Sequence, residues 1–163
     1  MNPTSSTPPT LNVNNIEVIY DRVALAIKGA SLQVPSGAMV ALLGANGAGK
    51  STLLKSISGL LKAERGEVTR GDVQFMGQAI DHLAPQQRVK LGIAQVLEGR
   101  RVFEHLTPDE NLVAASAVRG SRADMNRNRE MVYSYFPRLA QRAGALSGYL
   151  SGGEQQMLSL IHI

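Results

Sequence analysis

Leu42-Leu43-Gly44-Ala45-Asn46-Gly47-Ala48-Gly49-Lys50-Ser51-Thr52 is the stretch on which the fold turns. An apolar run, Met39 to Leu43, enters a glycine-rich loop, and Lys50-Ser51-Thr52 opens an amphipathic segment. The spacing is that of a G-x-x-x-x-G-K-S/T phosphate loop set between strand and helix. A plain glycine turn has no need for the fixed spacing, the Lys-Ser pair and both flanking elements together. The chemistry implied is binding of a nucleoside triphosphate with magnesium. Gly44, Gly47 and Gly49 lack Cβ atoms, so the backbone is expected to pass through positive φ and turn its N–H groups inward. Asn46 and Ala48 complete the loop. The helix start adds unsatisfied amides and the positive dipole end. Lys50 supplies a mobile charge for the β- and γ-phosphates, the Ser51 hydroxyl suits Mg²⁺, and Thr52 suits a phosphate oxygen.

Working outward, Leu11 to Tyr20 alternates apolar and polar residues with a slip at Asn14-Asn15, which predicts a bulged strand. Ala30 to Val34 reads as a second strand, stopped by Pro35-Ser36-Gly37. Met39 to Leu43 reads as a strand buried on both faces. Leu53, Leu54, Ile57, Leu60 and Leu61 recur at helical spacing. Gly66 to Phe75 reads as one or two strands with a turn at Gly71-Asp72, Pro85 to Leu91 as a short helix, and Gly92 to Leu97 as a strand. From about Gly99 the chain turns helical. Thr107-Pro108-Asp109-Glu110 is a capping box opening a helix to about Val118. A second helix covers Arg122 to Phe136 and stops at Pro137, and a short third covers Pro137 to Arg142. Ser151-x-x-Glu154 is another capping box, before the apolar run that closes the chain.

Composition narrows the class. The 163 residues contain no cysteine, so there is no disulfide framework or thiolate metal site. His82 and His105 stand alone, without partners at metal-ligand spacing. No apolar stretch is long enough to span a bilayer. Met1 to Thr10, rich in Ser, Thr and Pro, reads as a disordered leader. The net charge of +4 is spread along the chain apart from Arg119, Arg122, Arg127 and Arg129. Those four read as a solvated helix face, and no nucleic-acid partner is expected.

Beside the phosphate loop, Leu150-Ser151-Gly152-Gly153-Glu154-Gln155-Gln156 resembles the signature motif of ATP-binding cassette (ABC) ATPases. Glu98-Gly99-Arg100-Arg101 and Leu-Ser-Gly-Gly-Glu-Gln-Gln-Met (150–157) resemble the LivF-type ATP-binding subunits of branched-chain amino acid importers. The likeness runs from about Leu11 to Leu158. It implies an α/β fold: a P-loop NTPase core with an antiparallel β edge (11–98), a helical subdomain (99–150), and the signature motif with the start of its helix (151–163). It further implies that Tyr20 stacks on adenine, and that Ser151, Gly152, Gly153 and Glu154 serve the ATP of a second ABC ATPase subunit in a homo- or heterodimer. Glu98 stands where most cassettes carry a glutamine sensing Mg²⁺ and the γ-phosphate. The implied role is an ATPase at the cytoplasmic face of a membrane, coupling ATP to amino-acid uptake through separate permease subunits.

Family members continue the signature helix into an apolar strand ending in Asp-Glu and, later, a switch histidine. Neither follows here, and terminal His162 has no strand before it. On the resemblance, the chain is therefore expected to be incomplete at its C-terminus, poorly stable in isolation and hydrolytically impaired. Two other readings remain open at this point: a soluble ABC-type ATPase acting on nucleic acid or ribosomes, and a non-catalytic nucleotide-binding remnant.

Overall fold

The computed structural model describes residues 9–99, 101–116 and 122–161. They form two compact units, one ending at Ala94 and the other beginning at Gln95. Most of the expected leader, along with Arg100, Arg119, His162 and the end of the helix expected to reach Val118, falls outside the described residues.

The first unit is a four-stranded antiparallel sheet carrying a helix. β1 (Leu11–Tyr20) lies centrally, between β2 (Ala24–Val34) and β3 (Gly66–Phe75), and β4 (Gln78–Ala79) extends the β3 edge. The register runs Leu11↔Val34 to Tyr20↔Ala24 on one side and Leu11↔Phe75 to Tyr20↔Gly66 on the other. Val13, Ile16 and Val18 are all fully buried. Their spacing of three and then two cannot put one face inward on a regular strand, because side chains alternate with period two. The slip at Asn14-Asn15 resolves this. Asn15 takes φ 48°, the register shifts on both flanks, and the strand's phase flips so that all three residues face the core. The sequence expected a turn at Gly71-Asp72. Instead β3 continues unbroken, and Gly71 (φ 81°) accommodates the β1 bulge, where a Cβ would lie 2.3 Å from the Asn14 carbonyl oxygen.

α1 (Lys50–Ser58) lays Leu53 and Ile57 on this sheet with Ile27, Leu61, Val73 and Ile80. α2 (Pro85–Leu91) follows. Two sequence expectations require correction. Met39–Leu43 and Gly92–Leu97 were expected as strands, yet among the described residues neither joins a sheet. Met39 is 98% exposed and Leu43 88%. A strand exists through a ladder of hydrogen bonds to a neighbouring strand, and among the described residues neither segment has one; the Ile93 N–H goes to the Arg88 carbonyl instead. The second strand is also longer than expected, starting at Ala24 instead of Ala30.

The second unit is helical. α3 (Pro108–Ser116), α4 (Arg122–Tyr135), α5 (Pro137–Gln141) and α6 (Gly152–Ile161) gather around Leu112, Leu139, Leu150 and Leu158. Pro137 ends α4 as expected, since it lacks an N–H and fixes φ. Among the described residues no helix is long and apolar enough to cross a membrane.

Candidate nucleotide-binding site

Residues 44–49 form a loop that closes onto the first turn of α1. Gly47 and Gly49 adopt φ 83° and 85°. At Gly49 both constraints coincide, for a Cβ there would also press on Ile27 at 3.2 Å and the Ala26 carbonyl at 3.3 Å. Gly44, expected in the same region, is not among the positive-φ residues. Its requirement is closeness, because a Cβ would come within 3.2 Å of the Ala48 Cβ. The Ala48 N–H donates to the Ala45 carbonyl (3.2 Å) and tightens the turn. The Lys50 ammonium donates to the carbonyls of Gly44 (2.8 Å) and Ala45 (2.7 Å), so the only cation of the loop sits over its mouth.

The start of α1 differs from the starts of α3 and α6. Gly49 gives it no side-chain cap, and its first turn contains no acidic residue. At α3 the Glu110 carboxylate accepts the Thr107 N–H (2.8 Å), and the Glu110 N–H donates to the Thr107 hydroxyl. At α6 Glu154 accepts the Ser151 N–H (2.7 Å), and its own N–H donates to the Ser151 hydroxyl (3.4 Å). These are the two expected capping boxes. They hold both carboxyls below the usual carboxylate range: Glu154 through bonds to the Ser151 side chain and backbone, Glu110 through the Thr107 backbone and then its side chain. The amides of the first turn of α1 have no such internal anion, and the positive helix end is left for one from outside.

Ser51 is exposed in that turn and Thr52 half-buried. Tyr20, at the end of β1, donates its hydroxyl to the Thr52 hydroxyl at 3.4 Å, while its ring lies on Gly66, where a Cβ would be 2.8 Å from the ring. The structure therefore brings Tyr20, the loop and the start of α1 together within one unit. Alongside the loop lies a cavity of about 270 Å³ lined chiefly by apolar residues, including Ile27, Leu42 and Leu53. Lys28 and Lys50 also line it, so two ammonium-bearing side chains border the same space.

Glu98 and Ser151–Glu154 belong to the second unit, and Glu98 is exposed. Among the described residues no cluster of three or more potential metal ligands occurs. The magnesium donor the chain itself offers at the loop is the Ser51 hydroxyl, a hard oxygen of the kind Mg²⁺ takes together with phosphate oxygens and water. A lone hydroxyl fits a metal carried in on a nucleotide, not a site that fills without one.

Sequence reasoning missed Asn111. It is fully buried on α3. Its side-chain oxygen accepts the Phe103 N–H (2.9 Å), and its amide group donates to the carbonyls of Phe103 and Thr107 (both 3.0 Å) and to the Ser147 hydroxyl (3.0 Å). The Gln155 side chain of α6 in turn donates to the Ser147 carbonyl (3.1 Å). One amide thus ties the 103–107 turn to the loop leading into the signature helix. The only sequence signal was a polar side chain in the first turns of a core-facing helix. Asn111→Ala removes a fully buried amide together with its bonds to the Phe103 backbone, Thr107 and Ser147, and is expected to lower stability by about 2–3 kcal/mol in urea unfolding. An unchanged midpoint would mean water replaces the side chain.

The family profile described as ABC transporter matches residues 27–163. The high-affinity branched-chain amino acid transport ATP-binding protein BraG of Pseudomonas aeruginosa is 37% identical over 150 residues, covering 92% of this chain and 61% of that protein. The probable branched-chain amino acid transport ATP-binding protein LivF of Archaeoglobus fulgidus is 38% identical over 128 residues, covering 78% of this chain and 51% of that protein. Among solved structures, an ATP-binding subunit of an ABC transporter superposes with a TM-score of 0.78 at 29% identity, covering 94% of this chain and 60% of that one. The chain therefore spans between half and three-fifths of the length of these relatives. On the profile match, which takes in both the phosphate loop and the Ser151–Glu154 helix start, the chain belongs to the ABC transporter family.

Proposed function

We propose that this chain is the nucleotide-binding portion of an ATP-binding subunit of an importer, and that it serves the uptake of branched-chain amino acids or related amides through a separate permease. The observation that carries the proposal is the start of α1: an uncapped, acid-free helix end behind a glycine loop, with the Lys50 ammonium over the loop mouth. A triphosphate supplies the anion that this arrangement lacks. In this reading Lys50 contacts the β- and γ-phosphates, the amides of Gly44, Asn46, Gly47, Ala48 and Gly49 line the tail, and Thr52 bonds a phosphate oxygen. Ser51 would hold Mg²⁺, which would supply positive charge to screen the phosphates. Tyr20, anchored through Thr52, receives the adenine.

Ser151, Gly152, Gly153 and Glu154 then act on the ATP of a second ABC ATPase subunit, homologous or identical. The Glu154 box fixes the helix start while leaving Ser151 exposed. Glu98 takes the place of the γ-phosphate-sensing glutamine. The subunit would sit on the cytoplasmic face of the membrane, held there by its permease, and hydrolysis would be transport-coupled. The solute assignment is supported by the two branched-chain amino acid transport relatives.

Two measurements test the proposal. Fluorescence titration with trinitrophenyl-ATP is expected to show saturable binding by the purified chain, displaced by ATP with Mg²⁺. Affinity capture from solubilised membranes of the source cells is expected to recover permease subunits rather than RNA or DNA. No ATP binding sinks the nucleotide assignment; nucleic acid without permease sinks the importer assignment.

A further inference from the structure

Arg88, on α2, is one of the most deeply buried charges of the first unit, at 5% exposure. Its guanidinium makes hydrogen bonds to main-chain carbonyls: Nη1 donates to Ser56 (2.7 Å) and Ile57 (2.9 Å), Nη2 to Asp81 (3.1 Å) and Nε to Leu83 (3.0 Å). Ser56 and Ile57 lie in the last turn of α1, the same helix whose first turn receives the phosphate loop. The neighbouring Lys55 carbonyl is taken by the N–H groups of Gly59 and Leu60. The carbonyl end of α1 is thus gripped, while its amide end stays open.

The fit around the guanidinium is close. Gly59 ends α1 at φ 80°, and a Cβ there would stand 3.0 Å from the Arg88 Nε. Burial lowers the arginine pKa, with the Asp81 charge partly opposing that shift. A desolvated cation is a costly way to fill a core position, since a leucine would pack there without that cost. What arginine supplies and leucine cannot is a rigid fork reaching several carbonyls at once.

We propose that Arg88 is a positioning residue for the phosphate loop: by holding the carbonyl end of α1 it sets where the helix presents its amide end to a triphosphate. α1 has nine residues, so it is roughly 13 Å long and moves as a rigid rod. A shift or tilt at the gripped end is carried to Lys50 and Ser51 at the other. The cation also sits at the negative pole of the helix dipole, which favours an anion at the positive pole.

This inference rests on the triphosphate reading of the loop, and the experiment separates the two. Arg88→Lys keeps the charge but loses the fork; Arg88→Ala loses both. Each is titrated with the trinitrophenyl derivatives of ATP and of adenosine, with melting followed by circular dichroism. Arg88→Lys is expected to bind the ATP probe about tenfold more weakly and the adenosine probe within about twofold of the unaltered chain, equivalent to about 1.4 kcal/mol confined to the phosphates. Arg88→Ala is expected to lose at least as much, and if it fails to fold, Arg88→Lys decides alone. A purely structural anchor would lower the melting temperature and leave the ratio of the two affinities unchanged; that result overturns the inference. If the unaltered chain binds the ATP probe no better than the adenosine probe, the triphosphate reading fails and takes the inference with it.

Discussion

Lys50→Ala is expected to weaken ATP binding about a hundredfold, equivalent to about 2.7 kcal/mol. The ammonium lies within 2.8 Å of two loop carbonyls, at the point where a β- or γ-phosphate would meet it. A charge-assisted bond to a phosphate is about twice as strong as a neutral one, and no second cation stands in the loop to replace it. Removing Lys50 also frees the Gly44 and Ala45 carbonyls, whose lone pairs would then face the incoming anion. Lys55 supplies the control. It lies on the same helix but pairs with Glu64 at 2.6 Å, away from the loop. Lys55→Ala changes net charge by the same amount and is expected to leave ATP affinity within about twofold, because exposed pairs contribute little. Equal losses in the two variants would reduce the effect to long-range charge. Undiminished binding in Lys50→Ala would remove Lys50 from the site.

Much of this site is legible in the sequence because its determinants are local. A glycine that must take positive φ, a lysine that opens a helix and a serine that caps one each act within a few residues, and their spacing survives without tertiary context. The capping boxes at Thr107 and Ser151 and the bulge at Asn14-Asn15 were readable for the same reason. The bulge announces itself as a break in period, although the sequence alone does not say that Gly71 on another strand makes room for it. What could not be read depends on partners distant in the chain. Met39–Leu43 has the composition of a buried strand, yet composition only permits pairing; the pairing itself needs a neighbour in register. Arg88 looks like any surface arginine on a short helix, and Asn111 like any polar residue after a cap. Their roles arise from carbonyls and a hydroxyl brought up from elsewhere: Ser56 and Ile57 for Arg88, Ser147 for Asn111. Local chemistry is written in spacing, whereas buried polar networks are written in topology.

The second large effect concerns turnover. The 163-residue chain is expected to bind ATP and yet release phosphate on the order of a thousandfold more slowly than a typical enzyme turnover of about 10 per second. Phosphoryl transfer to water asks a protein to position the triphosphate, screen its charge and orient the attacking water. In the proposed reading the loop and α1 answer the first two demands. The third needs a carboxylate or comparable acceptor beside the γ-phosphate, and from Gly37 to Ala63 the chain contains no Asp or Glu at all. The carboxylates elsewhere in the first unit are mostly engaged. Glu17 accepts from the Thr69 hydroxyl, Asp21 pairs with Arg65 and Glu64 with Lys55. Asp72 accepts from Asn14 and Gln74, and Asp81 accepts the Val73 N–H. None of these partners belongs to the loop. A site that grips the tail of ATP without orienting water stabilises ground state and transition state alike, and uniform binding does not accelerate the chemical step. Phosphate release at saturating ATP, on protein shown by titration to be loaded, provides the check. Hydrolysis at an ordinary enzymatic rate would overturn this expectation and mean that another group orients the water.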